Sequence, residues 1–136
     1  MRRILLAGAF ALTASFASAS AADAEGSAAY AQCMQEAGGI DTAIKDCGSA
    51  EIDRQDRELN ASYAALKSTL APGLRTDLIK AQRAWLAFRD AECTFDYSRE
   101  LPGSLAGLVY QSCKIRMTMA RAGDLRRALD EAEPER

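Results

Sequence analysis

From residue 27 onward, apolar positions recur at steps of three and four, the spacing that gathers side chains on one face of an α-helix. Ser27 is placed to cap a short helix over AAYAQCMQEA, and the pair Gly38-Gly39 ends it. Thr42 is placed to cap a second helix running to about Leu70, with Ile52, Asp56, Leu59, Tyr63, Leu66 and Leu70 as its stripe. Gly48 weakens the first turns of that helix by about 1 kcal/mol relative to alanine, which makes Ser49 an alternative start. Ala71-Pro72-Gly73 breaks the chain, and a third helix follows from about Leu74 to Asp96. Its stripe is Leu74, Leu78, Ala81, Trp85, Phe88 and Phe95. After a turn over residues 101–104, Ser104 is placed to cap a last helix from Leu105 to about Glu131. Leu105, Leu108, Ile115, Met119, Ala122 and Leu129 mark one face of it. Neither an alternating strand pattern nor an internal repeat is visible. The pattern predicts an all-α fold, a small antiparallel helical bundle of three long helices with a short N-terminal helix folded against it.

The residues before this domain (27–131) read as an address. Arg2 and Arg3 are followed by the apolar run ILLAGAFALTASFA and by small residues, the order of a secretory signal peptide over residues 1–19. Ser20-Ala21-Ala22 offers a second cleavage site, after residue 22. A retained anchor is the alternative, but spanning a bilayer takes roughly 20 apolar residues. No cysteine closely follows the run, which argues against a lipid anchor at the new N-terminus. The expectation is an exported chain with no stable membrane insertion after cleavage, located in the periplasm or secreted. At the other end, the acidic tail 132–136 is expected to fray.

Charge narrows the partners. Removing Arg2 and Arg3 leaves 15 basic residues against 19 acidic ones, a net charge of −4. Residues 20–60 carry nine acids and three bases, whereas residues 61–129 carry six acids and eleven bases. A mildly acidic chain with an acidic N-terminal third is a poor fit to nucleic acid and suits a cationic protein partner.

The four cysteines, Cys33, Cys47, Cys93 and Cys113, are an even count in a small exported chain, which reads as two disulfides with three possible connectivities. Zinc is the competing use, but there is no close cysteine pair and no histidine. Positions equidistant from the turn of an antiparallel helix pair come within disulfide reach. Cys33 and Cys47 flank Gly38-Gly39, and Cys93 and Cys113 flank Pro102-Gly103, so the expected bridges are Cys33–Cys47 and Cys93–Cys113. The absence of histidine also removes serine–histidine and cysteine–histidine nucleophile pairs. None of the 19 acids falls in a motif for paired-carboxylate chemistry, and no Gly-rich phosphate loop occurs. The reading is a protein that is not an enzyme and needs no cofactor.

The stretch QRAWLAFRDAEC, residues 82–93, combines the single tryptophan with an Arg-Asp pair and a cysteine. In the middle of the third helix it reads as core: Trp85 and Phe88 point into the bundle, and Cys93 faces a neighbouring helix. Asp56 sits in the stripe of the preceding helix, where a lone carboxylate is costly to bury. It is therefore expected to be largely buried and paired with Arg89 or Arg121.

Four segments, CMQEAGGIDTAIKDC, DRELNASYAAL, AQRAWLAFRDAEC and GSLAGLVYQSCKIRMTMARAGDL, resemble in order and spacing the N-terminal domain of LprI-type lysozyme inhibitors. The resemblance covers roughly residues 30–130, and the Trp/Phe/Arg-Asp/Cys run is its most specific part. It departs at Pro102-Gly103, where the family usually has two glycines before the serine at 104. The resemblance implies an exported, disulfide-bonded helical domain that inhibits lysozyme, the muramidase that cleaves bacterial wall glycan. A general envelope interaction module is the alternative. For a partner-binding surface, the sequence offers the bridged turn between the last two helices, with Tyr97, Arg99, Glu100 and Ser104.

Overall fold

A computed structural model describes residues 26–132 of the chain. The expected signal peptide and the residues after Ala132 lie outside this span. Four helices fill it: α1 (Ala28–Ala37), α2 (Asp41–Thr69), α3 (Pro72–Arg99) and α4 (Ala106–Ala132). The architecture is the expected all-helical bundle carrying the bridges Cys33–Cys47 and Cys93–Cys113.

The helix boundaries follow local chemistry, with two corrections. The Ser27 hydroxyl accepts from the Tyr30 amide and so caps α1. Gly38 closes the helix at φ 56°, a left-handed conformation that favours glycine. Thr42 does not cap α2: the helix starts at Asp41 with Ile40 before it, and the Ile40 carbonyl accepts from the Ile44 amide. Ser104 does not cap α4 either, because the helix begins two residues later and the Leu105 carbonyl accepts from Val109. Pro72 begins α3, where its missing N–H is one the helix leaves unbonded anyway.

α4 is the central helix. It packs along α2 on one side and along α3 on the other, while α1 lies on α2. Gln111 meets Lys45 and Arg126 meets Glu58, so α2 and α4 run parallel. Gln82 meets Arg121, Arg89 meets Thr118 and Cys93 is bridged to Cys113, so α3 runs antiparallel to α4. Gly48 has a reason to be glycine here. It is buried where α2 faces α4, and a Cβ on it would come 2.4 Å from the Gln111 side chain. That side chain donates to the Lys45 carbonyl (3.0 Å) and the Ser49 hydroxyl (3.2 Å).

The apolar core gathers Leu59 and Leu66 of α2 with Ala122 and Leu125 of α4. Tyr63, Leu70, Leu78, Trp85, Ala128 and Leu129 pack against it, half-buried. Several stripe positions face differently from expectation. The buried line of α2 is Cys47, Glu51, Gln55, Leu59, Ser62 and Leu66, which leaves Ile52 and Asp56 on its flank. On α3 the inner face is Gln82, Arg89 and Cys93. Phe88 therefore does not enter the bundle: it is 56% exposed, and Leu74, Phe95 and Leu105 are exposed with it. Successive helical residues are rotated by about 100°, so turning Arg89 inward carries its neighbour Phe88 out.

Candidate functional site

Two constellations of polar side chains stand out, one inside the bundle and one at its end. The inner one is built on Arg89, whose side chain is only 7% exposed. Its Nη1 donates to Asp56 Oδ1 at 3.0 Å and to Thr118 Oγ1 at 3.1 Å, and its Nε donates to Asp90 Oδ1 at 3.1 Å. The guanidinium also lies over the Trp85 ring, 5.2 Å from its centroid. Lys114 of α4 donates to the same Asp90 oxygen at 2.6 Å. Burial alone would raise the Asp90 carboxyl, but hydrogen bonds from Lys114 and Arg89, with their charges, hold it below the usual carboxylate range. Arg121 does not reach Asp56. It donates to Gln82 Oε1 at 3.1 Å and covers Trp85 at 6.0 Å from the centroid.

Asp56 departs from expectation in one respect. Its partner is Arg89, but its side chain is 41% exposed. The carboxylate keeps part of its hydration, and the buried member of the pair is the arginine. Every donor described for Arg89 is engaged within the fold, so this constellation ties α2, α3 and α4 together rather than presenting a ligand site.

Sequence reasoning missed the acid that is buried, Glu51. Glu51 is fully buried and accepts from the Ser27 amide, the Ser27 hydroxyl and Gln55, each at 2.7 Å, and from Arg54. Burial raises its carboxyl, but these hydrogen bonds outweigh it and hold the group below its ordinary value. Glu51 thereby pins the start of α1 onto α2. A signal was present, since Glu51 stands on the step-of-four line Cys47, Gln55, Leu59 that faces inward.

The outer constellation is the α3–α4 tip. The bridge Cys93–Cys113 closes its base, with Met117 Sδ 3.8 and 3.7 Å from the two sulfurs. Beyond the bridge, Tyr97 meets Tyr110 edge-on, with ring centroids 6.4 Å apart. Arg99 lies over Phe95 at 5.7 Å and reaches Asp96 at 3.6 Å. The turn itself is tight. The Gly103 amide donates to the Glu100 carbonyl at 2.6 Å, and a Cβ on Gly103 would sit 2.6 Å from that oxygen, so the close approach requires glycine.

Tyr97, Arg99, Ser104, Leu101 and Leu105 are exposed there and Glu100 is half-buried. The structure thus brings all four expected tip residues to one end of the hairpin. A groove of about 310 Å³ runs along one side of the tip, with Leu105, Leu108 and Val109 between Asp96 and Arg116. A smaller notch of about 230 Å³ lies between Thr94, Tyr97, Gly107 and Tyr110. Both escaped the sequence reading, which assigned Leu105 and Leu108 to the core face. Among the described residues, no group of acids and cysteines is arranged to hold a metal, and no helix is long and apolar enough to cross a membrane.

A small helical bundle stapled by two disulfides, with a bridged and exposed tip, is the class of protein that the fold defines. The sequence pattern of the family described as Lysozyme inhibitor LprI matches residues 33–125, and the chain belongs to that family. The match begins at the first bridging cysteine and ends at Leu125 of the core, so it takes in both disulfides and the tip. An uncharacterised protein of Rhizobium meliloti (strain 1021) is 28% identical over 100 residues, covering 64% of this chain and 72% of its own length. No solved structure gives a significant match. The family is one of inhibitors, which points to a protein partner. Together with the two disulfides it is consistent with a place outside the cytoplasm.

Proposed function

We propose that the mature chain is an exported protein that inhibits lysozyme by reversible, stoichiometric binding at the enzyme's cleft, and that the α3–α4 tip makes the contact. The observation that carries this reading is the exposure of Tyr97, Arg99 and Leu101 at the end of a hairpin locked by Cys93–Cys113. A loop held in shape loses less conformational freedom on binding. Tyrosine and arginine are the residue types that dominate protein contacts, because each offers large area together with directional polar groups. With no histidine and no nucleophile pair in the chain, blocking the cleft is the available route to inhibition.

The acidic N-terminal third supports a cationic target. Charge complementarity mainly speeds encounter, so inhibition weakens as salt rises. The test is a titration of the mature chain into a lysozyme wall-clearing reaction, beside a folded variant with Tyr97, Arg99 and Glu100 all replaced by alanine. Inhibition saturates at one inhibitor per enzyme and is lost in the variant. Full inhibition by the variant moves the site elsewhere, with the acidic segment around Asp41 and Asp46 next in line. A parent inactive on every lysozyme type favours the envelope interaction module.

A further inference from the structure

The side of α3 turned away from its buried face carries an uncovered apolar stripe. Ala81, Ala84, Phe88, Ala91 and Phe95 are all exposed, with Phe88 at 56% and Phe95 at 57%. The inward residues Gln82, Arg89 and Cys93 occupy another face, so the fold's own packing does not use the stripe. Its positions recur every seven residues in two interleaved lines, 81-88-95 and 84-91, the spacing of a seam between paired helices.

We propose that this stripe docks on the same stripe of a second copy, with the two α3 helices antiparallel and Phe88 at the twofold axis. Residues that meet across such an axis lie equally far from Phe88 in opposite directions. Phe95 and Ala81 are each seven residues away, so a bulky ring on one copy meets a methyl group on the other. Asp77 and Arg99 are each eleven residues away, so an acid on one copy meets a base on the other, twice by symmetry.

Within their own chain these two side chains are loosely held. Asp77 faces Lys80 at 3.7 Å; Arg99 faces Asp96 at 3.6 Å and lies over the edge of the stripe at Phe95, 5.7 Å from the ring centroid; both are well exposed. Matching size and charge at the same register is what self-complementarity requires, and it marks the occupant as a copy of this chain. A helix rises about 1.5 Å per residue, so each tip stands about 20 Å from the axis and the two point in opposite directions. In this register the dimer uses Arg99 of each tip and leaves Tyr97, which stands on another face of α3, free.

Sedimentation equilibrium of the mature, disulfide-intact chain across a concentration series tests this. The parent self-associates to a dimer. Phe88→Asp, at an exposed position, leaves the chain folded and raises the dimer dissociation constant on the order of a hundredfold, because the two rings that meet on the axis are replaced by facing charges. Asp77→Arg and Arg99→Asp each weaken the dimer, and the two together restore it. A parent that stays monomeric, a Phe88→Asp variant that dimerises like the parent, or a double exchange no better than either single change overturns the proposal. Lysozyme inhibition measured on Phe88→Asp separates this from the tip reading. Loss of inhibition by that variant, with a monomeric parent, gives the stripe to the lysozyme and also overturns self-docking.

Discussion

Arg89 Nη1 lies 3.0 Å from Asp56 Oδ1, and through this contact α3 is tied to α2 although both pack chiefly on α4. The pair is lopsided, with a buried guanidinium and a half-exposed carboxylate. The two partners are therefore unequal in what their loss costs.

Asp56→Ala leaves Arg89 with Asp90 and Thr118 and removes an ion pair that water already screens, a loss of about 1 kcal/mol. Arg89→Ala also removes the stem packed against Trp85 and strands the contacts of three elements, a loss of about 3 kcal/mol. Thermal melting of both variants checks this, with Arg89→Ala the lower by several degrees. Equal melting temperatures would show that the carboxylate, not the guanidinium, carries the junction.

Acid acts first at the α1–α2 junction. The Glu51 carboxyl in the folded chain titrates below its ordinary value of 4.5, so the unfolded chain takes up the proton first as pH falls. The stability it contributes is present in full above 4.5 and is lost as pH drops from there through the folded value. Glu51→Gln is expected to be less stable than the parent at neutral pH and to show a flatter stability curve below 4.5. Hydrogen exchange over Ala28–Ala37 locates the effect, since Ser27 loses its acceptor. A parent whose α1 protection is unchanged down to pH 3 contradicts this.

Gly48 and Gln111 are coupled. Gly48→Ala gains about 1 kcal/mol of helix propensity but pushes away the Gln111 side chain and its bonds to Lys45 and Ser49. Alone, the substitution is nearly neutral. In a Gln111→Ala background, where nothing blocks the new methyl group, it stabilises by about 1 kcal/mol. Denaturant unfolding of the four chains of this cycle gives the coupling, and strict additivity would place Gln111 elsewhere.

The two disulfides have separable effects. Each closes a loop worth roughly 3 kcal/mol in the chain-entropy model. Replacing Cys33 and Cys47 by alanine loosens α1 on α2 but leaves the α3–α4 hairpin closed by its own bridge, and is expected to lower the melting temperature while inhibition persists. Replacing Cys93 and Cys113 frees the base of the tip and is expected to remove inhibition as well. Wall-clearing assays below the melting temperature of each variant distinguish them, and equal loss in both would detach activity from the tip.

Much was legible along the chain because it depends on neighbours in sequence. Helical period, the Ser27 cap, the left-handed Gly38, Pro72 and the near-symmetric cysteines about their turns are all local, and they predict four helices and both bridges. The placement of Tyr97, Arg99, Glu100 and Ser104 at one end follows from the same hairpin. The same period placed Leu59, Leu66, Ala122 and Cys93 inward, but which polar side chains join them was decided only by tertiary structure. Apolar type nominates Phe88 for the core, but the α3–α4 contact turns Gln82, Arg89 and Cys93 inward because each finds a partner there, in Arg121, Thr118 and Cys113. The same holds for Glu51, whose donors come from Ser27 as well as its own helix. A polar group is buried without penalty only where a distant residue satisfies it, and no local pattern records which distant residue will be there.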